Sequence, residues 1–260
     1  MGAVGGAGGG RAYWGIVSSA PEVSPLPVVL IHGLRVSGAT MHRIAADVTD
    51  RPIVTPDLPG HGTRANETFT MEAAVTAVVD EIGQLGGRAL VAGMSLGGYV
   101  AIATAGRHPD LVAGVMPMCA TAQPNRLLAA PFQVLGAATS VLPSQAALIS
   151  MGLTRLAVGS RVAEDMEAGG LALHSISDVV DELAQFDALS EISRYPGPIE
   201  FVNGGWDQFR VHERRFLAAS EHARLQVIPR AMHLFPLIQT ARTAEVITGF
   251  ARGLDRAPAI

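Results

Sequence analysis

Short apolar runs alternate with segments that have the spacing of a helix, and this alternation limits the chain to few architectures. The runs that we predict as strands lie at 13–18, 27–33, 52–56, 89–92, 111–119, 199–203 and 224–228. The predicted helices lie at 71–85, with Thr70 as N-cap, and at 99–107, 211–220 and 237–254. Strands without a polar face, alternating with helices, are typical of a parallel sheet that is covered on both sides. The sequence therefore predicts an α/β fold with a mostly parallel central sheet.

The alternation is interrupted between residues 121 and 194. The stretch from Leu127 to Thr154 carries no charged residue, and its 28 residues are enough to span a bilayer. It also contains Pro131, Pro143 and several polar residues, which favour two or three short helices packed over the sheet. We therefore expect no integral membrane span. We expect a helical lid at 121–194, inserted into a core formed by residues 11–120 and 195–260.

Composition excludes several classes of function. The net charge is −4 and no basic cluster stands out, which argues against nucleic acid as a partner. All 19 cationic residues are arginine, so lysine Schiff-base chemistry and a P-loop lysine are both excluded. The single cysteine, Cys119, cannot form an internal disulfide, and its apolar surroundings predict a core thiol.

The first ten residues are rich in glycine and lack the charged start and apolar run of a secretory signal. We expect them to form a flexible tail, because ordering so much glycine is entropically costly. A dinucleotide-binding fingerprint would follow a strand, whereas these glycines precede the first one. We expect a cytoplasmic protein that is a monomer or a homodimer.

The motif G-M-S-L-G at residues 93–97 lies between an apolar run and a helix-forming one. A serine on a sharp turn between strand and helix is held clear of the sheet, beside the amides of the helix. Gly93 and Gly97 fit such a turn because a side chain at either position would collide with the neighbouring strand or helix. Ser95 is therefore the candidate nucleophile.

A serine hydroxyl becomes a good nucleophile only when a base removes its proton. His233 follows the last predicted strand, at the edge where parallel sheets build their sites, and we predict that it is this base. Asp207 follows the strand at 199–203 and is predicted to orient the imidazole. A loop histidine that caps the next helix and a simple turn aspartate are the alternative readings. Weaker candidates for the acid lie within the predicted lid: Asp178, Asp181 and Asp187.

From about residue 13 to residue 254, the chain resembles the α/β-hydrolase superfamily, in particular its serine-nucleophile, esterase- and lipase-like members with a helical lid. The segments that carry the resemblance are V-L-I-H-G-L at 29–34, D-L-P-G-H-G at 57–62, G-M-S-L-G-G at 93–98, G-G-W-D at 204–207 and A-M-H at 231–233. The chain order of Ser95, Asp207 and His233 is also the order of that fold. These segments are specific for the fold and much less so for the substrate.

The resemblance implies an oxyanion hole formed by the backbone amides of Leu34 and Leu96. It also implies that His32 and His61 are structural, with His32 bracing the loop that carries Leu34. The remaining histidines show no metal-ligand spacing: His42, His108, His174, His212 and His222. We therefore predict neither a metal nor another cofactor.

Three further residues are candidates for substrate binding. The guanidinium of Arg35 would suit a carboxylate or phosphate if it faces the pocket, and it has no such role if it points to solvent. Met94 and Trp206 are predicted to contact the pocket or its rim, with core packing as the alternative.

Serine at position 95 argues against dehalogenation and epoxide opening, which in the resembling family use a carboxylate nucleophile. We expect hydrolysis of an ester, lactone or thioester of a small, largely apolar substrate through an acyl-enzyme. Two alternatives stay open: cleavage of a carbon–carbon bond or a lactone ring with the same residues, and a binding or biosynthetic role without hydrolysis.

Overall fold

The computed structural model describes residues 24–127 and 158–256, with a few further positions between these two ranges. The predicted tail at 1–10, the predicted strand at 13–18 and most of the uncharged stretch from Leu127 to Thr154 lie outside the described residues.

Within the described residues, six strands form one sheet in which every neighbouring pair is parallel. They are β1 (Val28–Ile31), β2 (Ile53–Val54), β3 (Ala89–Met94), β4 (Val112–Met118), β5 (Ile199–Gly204) and β6 (Ala223–Ile228). Their order across the sheet is β2-β1-β3-β4-β5-β6. The predicted α/β class with a parallel central sheet is confirmed.

The helices of the described residues cover both faces of the sheet. They are α1 (His42–Asp47), α2 (Met71–Gln84), α3 (Leu96–Arg107), α4 (Ser160–Ala168), α5 (Ile176–Gln185), α6 (Ala188–Ser193), α7 (Glu213–Ala218), α8 (Phe235–Ile238) and α9 (Thr240–Asp255). Successive side chains of a strand point to opposite faces. Val29 and Ile31 of β1 accordingly pack in one core with α2, α3, α6 and α7, and Val28 and Leu30 pack in another with α1, α8 and α9.

Two helices show how far sequence spacing defines element boundaries. Helix α2 begins as predicted, because the Thr70 side chain caps it by accepting a hydrogen bond from Ala73 N at 3.1 Å. The helix predicted at 237–254 is instead two helices, α8 and α9. They are separated by Gln239, whose backbone (φ −112°, ψ 58°) is not helical. An apolar stripe continues across such a break, so the spacing alone does not reveal it.

The segment predicted as a lid contains α4, α5 and α6 among its described residues. Polar contacts fasten the first two of these helices to the core. Arg43 of α1 forms an ion pair with Asp165 of α4, and Glu182 of α5 accepts a hydrogen bond from Met71 N at 2.8 Å. None of the helices within the described residues has the length and apolar character needed to cross a membrane.

Because the strands of this sheet are parallel to one another, their carboxyl ends lie at one edge of it. Ser95 follows β3, Asp207 lies three residues past β5, and His233 lies a short loop past β6. The three predicted functional side chains therefore lie at the same edge of the sheet, where open α/β sheets bind their ligands.

Candidate active site

Ser95 occupies a strained turn between β3 and α3. Its backbone has φ 53° and ψ −112°, a region that residues other than glycine rarely adopt. A Cβ atom on Gly93 would lie 2.9 Å from Gly98 N, and one on Gly97 would lie 2.6 Å from the carbonyl oxygen of His32. Both glycines are therefore required by close backbone approach, as the sequence predicts.

The side chains of Ser95, His233 and Asp207 form a continuous hydrogen-bonded chain. The Oγ of Ser95 lies 3.1 Å from Nε2 of His233, and Nδ1 of His233 lies 3.0 Å from Oδ1 of Asp207. With the proton on Nδ1, the imidazole donates to the carboxylate and presents Nε2 as an acceptor to the serine hydroxyl. The structure thus brings together the three residues predicted from sequence.

Asp207 is held as a carboxylate at this position. Its side chain is fully buried, and burial alone would favour the protonated form. The hydrogen bond from His233, the positive charge that this ring carries when it is protonated, and the bond from Phe209 N to Oδ1 (2.9 Å) outweigh burial, so the pKa of Asp207 lies below its ordinary value. An ionised Asp207 is what the Nδ1–H of His233 needs as its acceptor.

Cys119 contacts the same carboxylate, which the sequence did not predict. Its Sγ, a carboxylate oxygen of Asp207 and a ring nitrogen of His233 lie within 4.8 Å of one another. Oδ2 of Asp207 accepts no hydrogen bond from the nitrogen or oxygen groups of the described residues. Burial and the negative charge of Asp207 raise the pKa of the Cys119 thiol well above its ordinary value, so it remains protonated and faces the carboxylate as S–H.

The same three residues are the donors among the described residues that come closest to a metal-binding arrangement. Zinc would need a thiolate and a free imidazole nitrogen. Here the thiol is protonated, and both ring nitrogens of His233 face partners. The donor set therefore fits a hydrogen-bonded chain better than a metal centre.

The loop that follows β1 carries Leu34, and the side chain of His32 stabilises this loop through hydrogen bonds. Nδ1 of His32 lies 2.8 Å from the carbonyl oxygen of Gly33, and Nε2 accepts a hydrogen bond from Leu58 N at 3.0 Å. Complete burial lowers the pKa of His32 to about 4, with a further contribution from His61. A neutral His32 can donate and accept at once, as these two bonds require.

His61 is also buried and structural in its contacts. Its Nδ1 lies 2.9 Å from the carbonyl oxygen of Pro59, and its Nε2 lies 3.3 Å from Oγ of Ser175, just before α5. Burial lowers the pKa of His61 below its ordinary value. Neither His61 nor His32 lines the cavity in which Ser95 lies.

A cavity of about 180 Å³ lies over Ser95. Leu34 and Leu96 both line it, so the two backbone positions predicted as an oxyanion hole lie beside the serine. Helix α5 contributes Val180, Leu183 and Ala184 to the wall. Most of the remaining lining is apolar, and it includes Tyr99, Ala122, Pro124, Phe209 and Leu234.

The three predicted substrate-binding residues differ in position. Met94 lines the cavity while being buried in the core, and Arg35 also lines it. Trp206 does not: its side chain is 63% exposed and contributes nothing to the cavity wall. The chain turns there so that Trp206 N donates to the carbonyl oxygen of Ala231, and the indole is left on the outer surface.

Phe209 is a cavity residue that sequence reasoning missed. Its ring packs edge-to-face on the ring of His233, with centroids 4.7 Å apart and planes at 67°. Such packing restricts the rotation of the imidazole. The position of Phe209, two residues after Asp207, is the one signal in the sequence that would have indicated it.

The comparison with known proteins agrees with this geometry. A model of the family described as "Alpha/beta hydrolase family" matches residues 28–246. Lipase LipV of Mycobacterium tuberculosis is 37% identical over 94 residues, covering 35% of this chain and 36% of LipV. A pimeloyl-[acyl-carrier protein] methyl ester esterase of Neisseria meningitidis is 41% identical over 109 residues, covering 40% of this chain and 39% of that protein. The chain thus matches well under half the length of these curated relatives.

Solved structures extend the similarity across the fold. A thermophilic esterase from Thermogutta terrifontis superimposes with a TM-score of 0.74 at 22% identity, covering 89% of this chain and 91% of the esterase. The enol-lactonase from Burkholderia xenovorans LB400 does so with a TM-score of 0.73 at 17% identity, covering 90% of this chain and 94% of the lactonase. At such identities the likeness concerns the fold alone. The family model matches residues 28–246, which is most of this chain, and the chain therefore belongs to the alpha/beta hydrolase family.

Proposed function

We propose that the protein is a cofactor-independent hydrolase of carboxylic esters that works through an acyl-enzyme on Ser95. The observation that carries this proposal is the hydrogen-bonded chain from Ser95 Oγ through His233 to Asp207, which opens into an apolar cavity. Acyl transfer to water requires a nucleophile, a base and a group that orients the base. The hydroxyl, the imidazole and the buried carboxylate supply these three in that order.

The first step is attack of Ser95 Oγ on the ester carbonyl carbon. Nε2 of His233 accepts the hydroxyl proton as the new carbon–oxygen bond forms. Asp207 stabilises the imidazolium that results and keeps Nε2 directed at the serine. The tetrahedral intermediate then collapses: the bond between the carbonyl carbon and the alcohol oxygen breaks, His233 gives its proton to that oxygen, and the acyl group remains on Ser95.

The second step returns the enzyme to its starting state. Water attacks the acyl carbonyl and gives its proton to Nε2 of His233. Collapse of the tetrahedral intermediate then breaks the bond to Ser95 Oγ, which recovers its proton from the imidazolium. The carboxylic acid product leaves through the cavity.

Negative charge develops on the carbonyl oxygen in both steps. The backbone N–H groups of Leu34 and Leu96 are the donors that we assign to it, since both residues line the cavity beside Ser95. Each preorganised donor of this kind lowers the barrier by about 3–4 kcal/mol. The bonds of His32 to Gly33 and Leu58 fix the loop of Leu34, so the donor is in place before the substrate arrives.

The cavity supports a small substrate with an apolar part. Its lining is dominated by aliphatic and aromatic side chains, and α5 contributes to the wall in the manner of a lid. Water is displaced from such a wall when an apolar acyl or alcohol group enters, which favours binding.

The test is hydrolysis of p-nitrophenyl acetate and butyrate by the wild-type protein and two serine variants. Ser95→Ala should lower kcat by about 10⁴–10⁶-fold. Ser193→Ala is the matched control, because Ser193 is exposed on α6, where its hydroxyl donates to Ser190 O. Turnover by Ser95→Ala close to that of the wild type would exclude Ser95 as nucleophile. Turnover of ring-cleavage diketones in place of esters would favour carbon–carbon cleavage, and no turnover of any substrate would favour a binding role.

A further inference from the structure

The main chain at Cys119 is tied to both halves of the candidate active site. Cys119 directly follows β4, and its N–H donates to the carbonyl oxygen of Val202 in β5 at 2.9 Å. The preceding carbonyl, that of Met118, accepts a hydrogen bond from Ser95 N at 2.8 Å. Cys119 is therefore fixed relative to the nucleophile and to the strand that leads to Asp207.

The backbone of Cys119 has a conformation that is rare for a residue with a side chain. Its φ of 54° lies in the left-handed region. Such strain persists only where the surrounding structure holds the residue in place. The side chain is buried at the cavity wall, and its Sγ accepts a hydrogen bond from the N–H of Gly204. The sulfur thus has one defined position.

Asp207 has a buried carboxylate oxygen close to this sulfur. Oδ1 of Asp207 is bonded by His233 and by Phe209 N, whereas Oδ2 accepts nothing from the nitrogen and oxygen groups of the part of the chain that is described. A buried carboxylate oxygen without a donor is costly. Sγ of Cys119 and a carboxylate oxygen of Asp207 lie within 4.8 Å of each other. The pKa of the thiol is raised by burial, by the charge of Asp207 and by a hydrogen bond to its carboxylate.

We propose that Cys119 is a positioning residue for Asp207: its S–H donates a hydrogen bond to Oδ2 and holds the carboxylate that orients His233. The proposal rests on the proposed function and adds a fourth side chain to the reaction. The bond draws negative charge towards Oδ2, so it limits how strongly the carboxylate retains a protonated imidazole. His233 can then both accept a proton from Ser95 and return it to the leaving group.

The pH dependence of the reaction gives access to this bond. Besides Cys119, the ionisable side chains that line the same cavity as His233 are Tyr99 and Arg35, within the described ranges. Burial raises the pKa of Tyr99 above its ordinary value, and arginine stays protonated at any pH at which an enzyme is assayed. The acid limb of the pH profile therefore reports protonation of the coupled pair of Asp207 and His233.

The experiment compares pH profiles of kcat/KM for p-nitrophenyl butyrate in the wild type, Cys119→Ala and Cys119→Ser. Both substitutions keep a Cβ atom at the positive φ, so the backbone strain is unchanged, but only serine keeps a donor. Tyr99→Phe is the matched control. It removes a buried hydroxyl of the same cavity that donates to Ala122 O at 2.6 Å and not to the carboxylate.

Cys119→Ala should move the midpoint of the acid limb up by about 0.5–1 pH unit, because the loss of a weak donor leaves the carboxylate more basic. Cys119→Ser should have its midpoint at or below that of the wild type, and Tyr99→Phe should not move it. At pH 8.5, Cys119→Ala should retain kcat within about threefold. A side chain that only fills space would instead change activity by one factor at every pH. An unmoved midpoint in Cys119→Ala, or the same upward shift in both variants, would overturn the proposal.

Infrared spectroscopy of the S–H stretch tests the bond without a substrate. The chain has one cysteine, so the band comes from Cys119 alone, and Cys119→Ser supplies the blank. A hydrogen bond to a carboxylate lowers the frequency of this band, which should therefore be lower in the wild type than in Asp207→Asn. Equal frequencies would overturn the proposal. The expected difference in a protein that hydrolyses no ester would support the bond and contradict the proposed function.

Discussion

Gly97, in the first turn of α3, lies so close to the loop after β1 that a Cβ atom on it would stand 2.6 Å from the carbonyl oxygen of His32. Real Cβ atoms do not approach backbone oxygen so closely, so Gly97→Ala must push α3 away from this loop. We expect it to lower the free energy of unfolding by at least about 1–3 kcal/mol and to reduce activity by displacing Ser95 from Leu34.

Gly83→Ala is the matched control for that substitution. Gly83 is near the end of α2, and a Cβ atom there would meet nothing within 4 Å. Alanine should stabilise the protein by about 0.5–1 kcal/mol, because glycine weakens a helix. Urea denaturation of the three proteins checks both predictions, and similar effects of the two substitutions would contradict the close approach at Gly97.

Asp207→Asn should lower kcat by about 10³–10⁴-fold and leave the fold intact. An amide in this place favours the tautomer of His233 that directs N–H, rather than a lone pair, at Ser95. Asp178→Asn, on the exposed face of α5, removes one of the other carboxylates considered from sequence and should retain full activity. Steady-state ester hydrolysis by the two variants decides between these carboxylates. A larger loss of activity in Asp178→Asn would show that Asp178, and not Asp207, orients His233.

The Cys119 thiol should be unreactive in the folded protein. It is buried, and its pKa is raised well above the ordinary value by burial and by Asp207, so little thiolate is present at pH 8. Iodoacetamide at that pH should leave the native protein unmodified and should alkylate it completely after unfolding in guanidinium. The chain has one cysteine, so intact mass gives a direct readout. Rapid alkylation of the native protein would contradict this environment.

Stability should fall in mild acid, in part because of His32. Burial lowers the pKa of this imidazole from 6.5 to about 4 in the folded protein, whereas the unfolded chain takes up the proton near pH 6.5. The stabilisation from a neutral His32 is therefore present above pH 6.5 and is lost as the pH falls from 6.5 to about 4, by about 3 kcal/mol in total.

His32→Gln isolates this contribution. The variant should be less stable at pH 7, and its loss of stability between pH 7 and pH 4.5 should be smaller than that of the wild type, because glutamine does not titrate. Denaturant unfolding at the two pH values measures the difference. Parallel losses in the two proteins would show that His32 is protonated in the folded state at higher pH.

The sequence was sufficient for six of the seven predicted strands and for the residues that follow them, and the strand predicted at 13–18 lies outside the described residues. Ser95, Asp207 and His233 each stand just beyond a strand, and parallel strands have their carboxyl ends at one edge. Chain position alone therefore brought together side chains that lie as many as 138 residues apart.

The wall of the cavity could not be predicted in the same way. Helical spacing identifies the buried face of α5, but it does not indicate that Val180 and Leu183 face the site. Cys119 was predicted only as a core thiol because strand order is not readable from spacing. It lies against Asp207 because β4 stands between β3 and β5 in the sheet. Trp206 was expected at the pocket or its rim, with core packing as the alternative, yet the turn at this point leaves its indole exposed.

The most direct test of the central claim is to find where a fluorophosphonate binds covalently. A serine activated by the His233 imidazole should react within minutes at pH 7.5, and peptide mass spectrometry should place the adduct on Ser95. Ser95→Ala should remain unlabelled, and His233→Ala should react slower by about 10³-fold or more. A wild-type protein that hydrolyses esters yet carries the label on another residue, or carries none, would contradict the account.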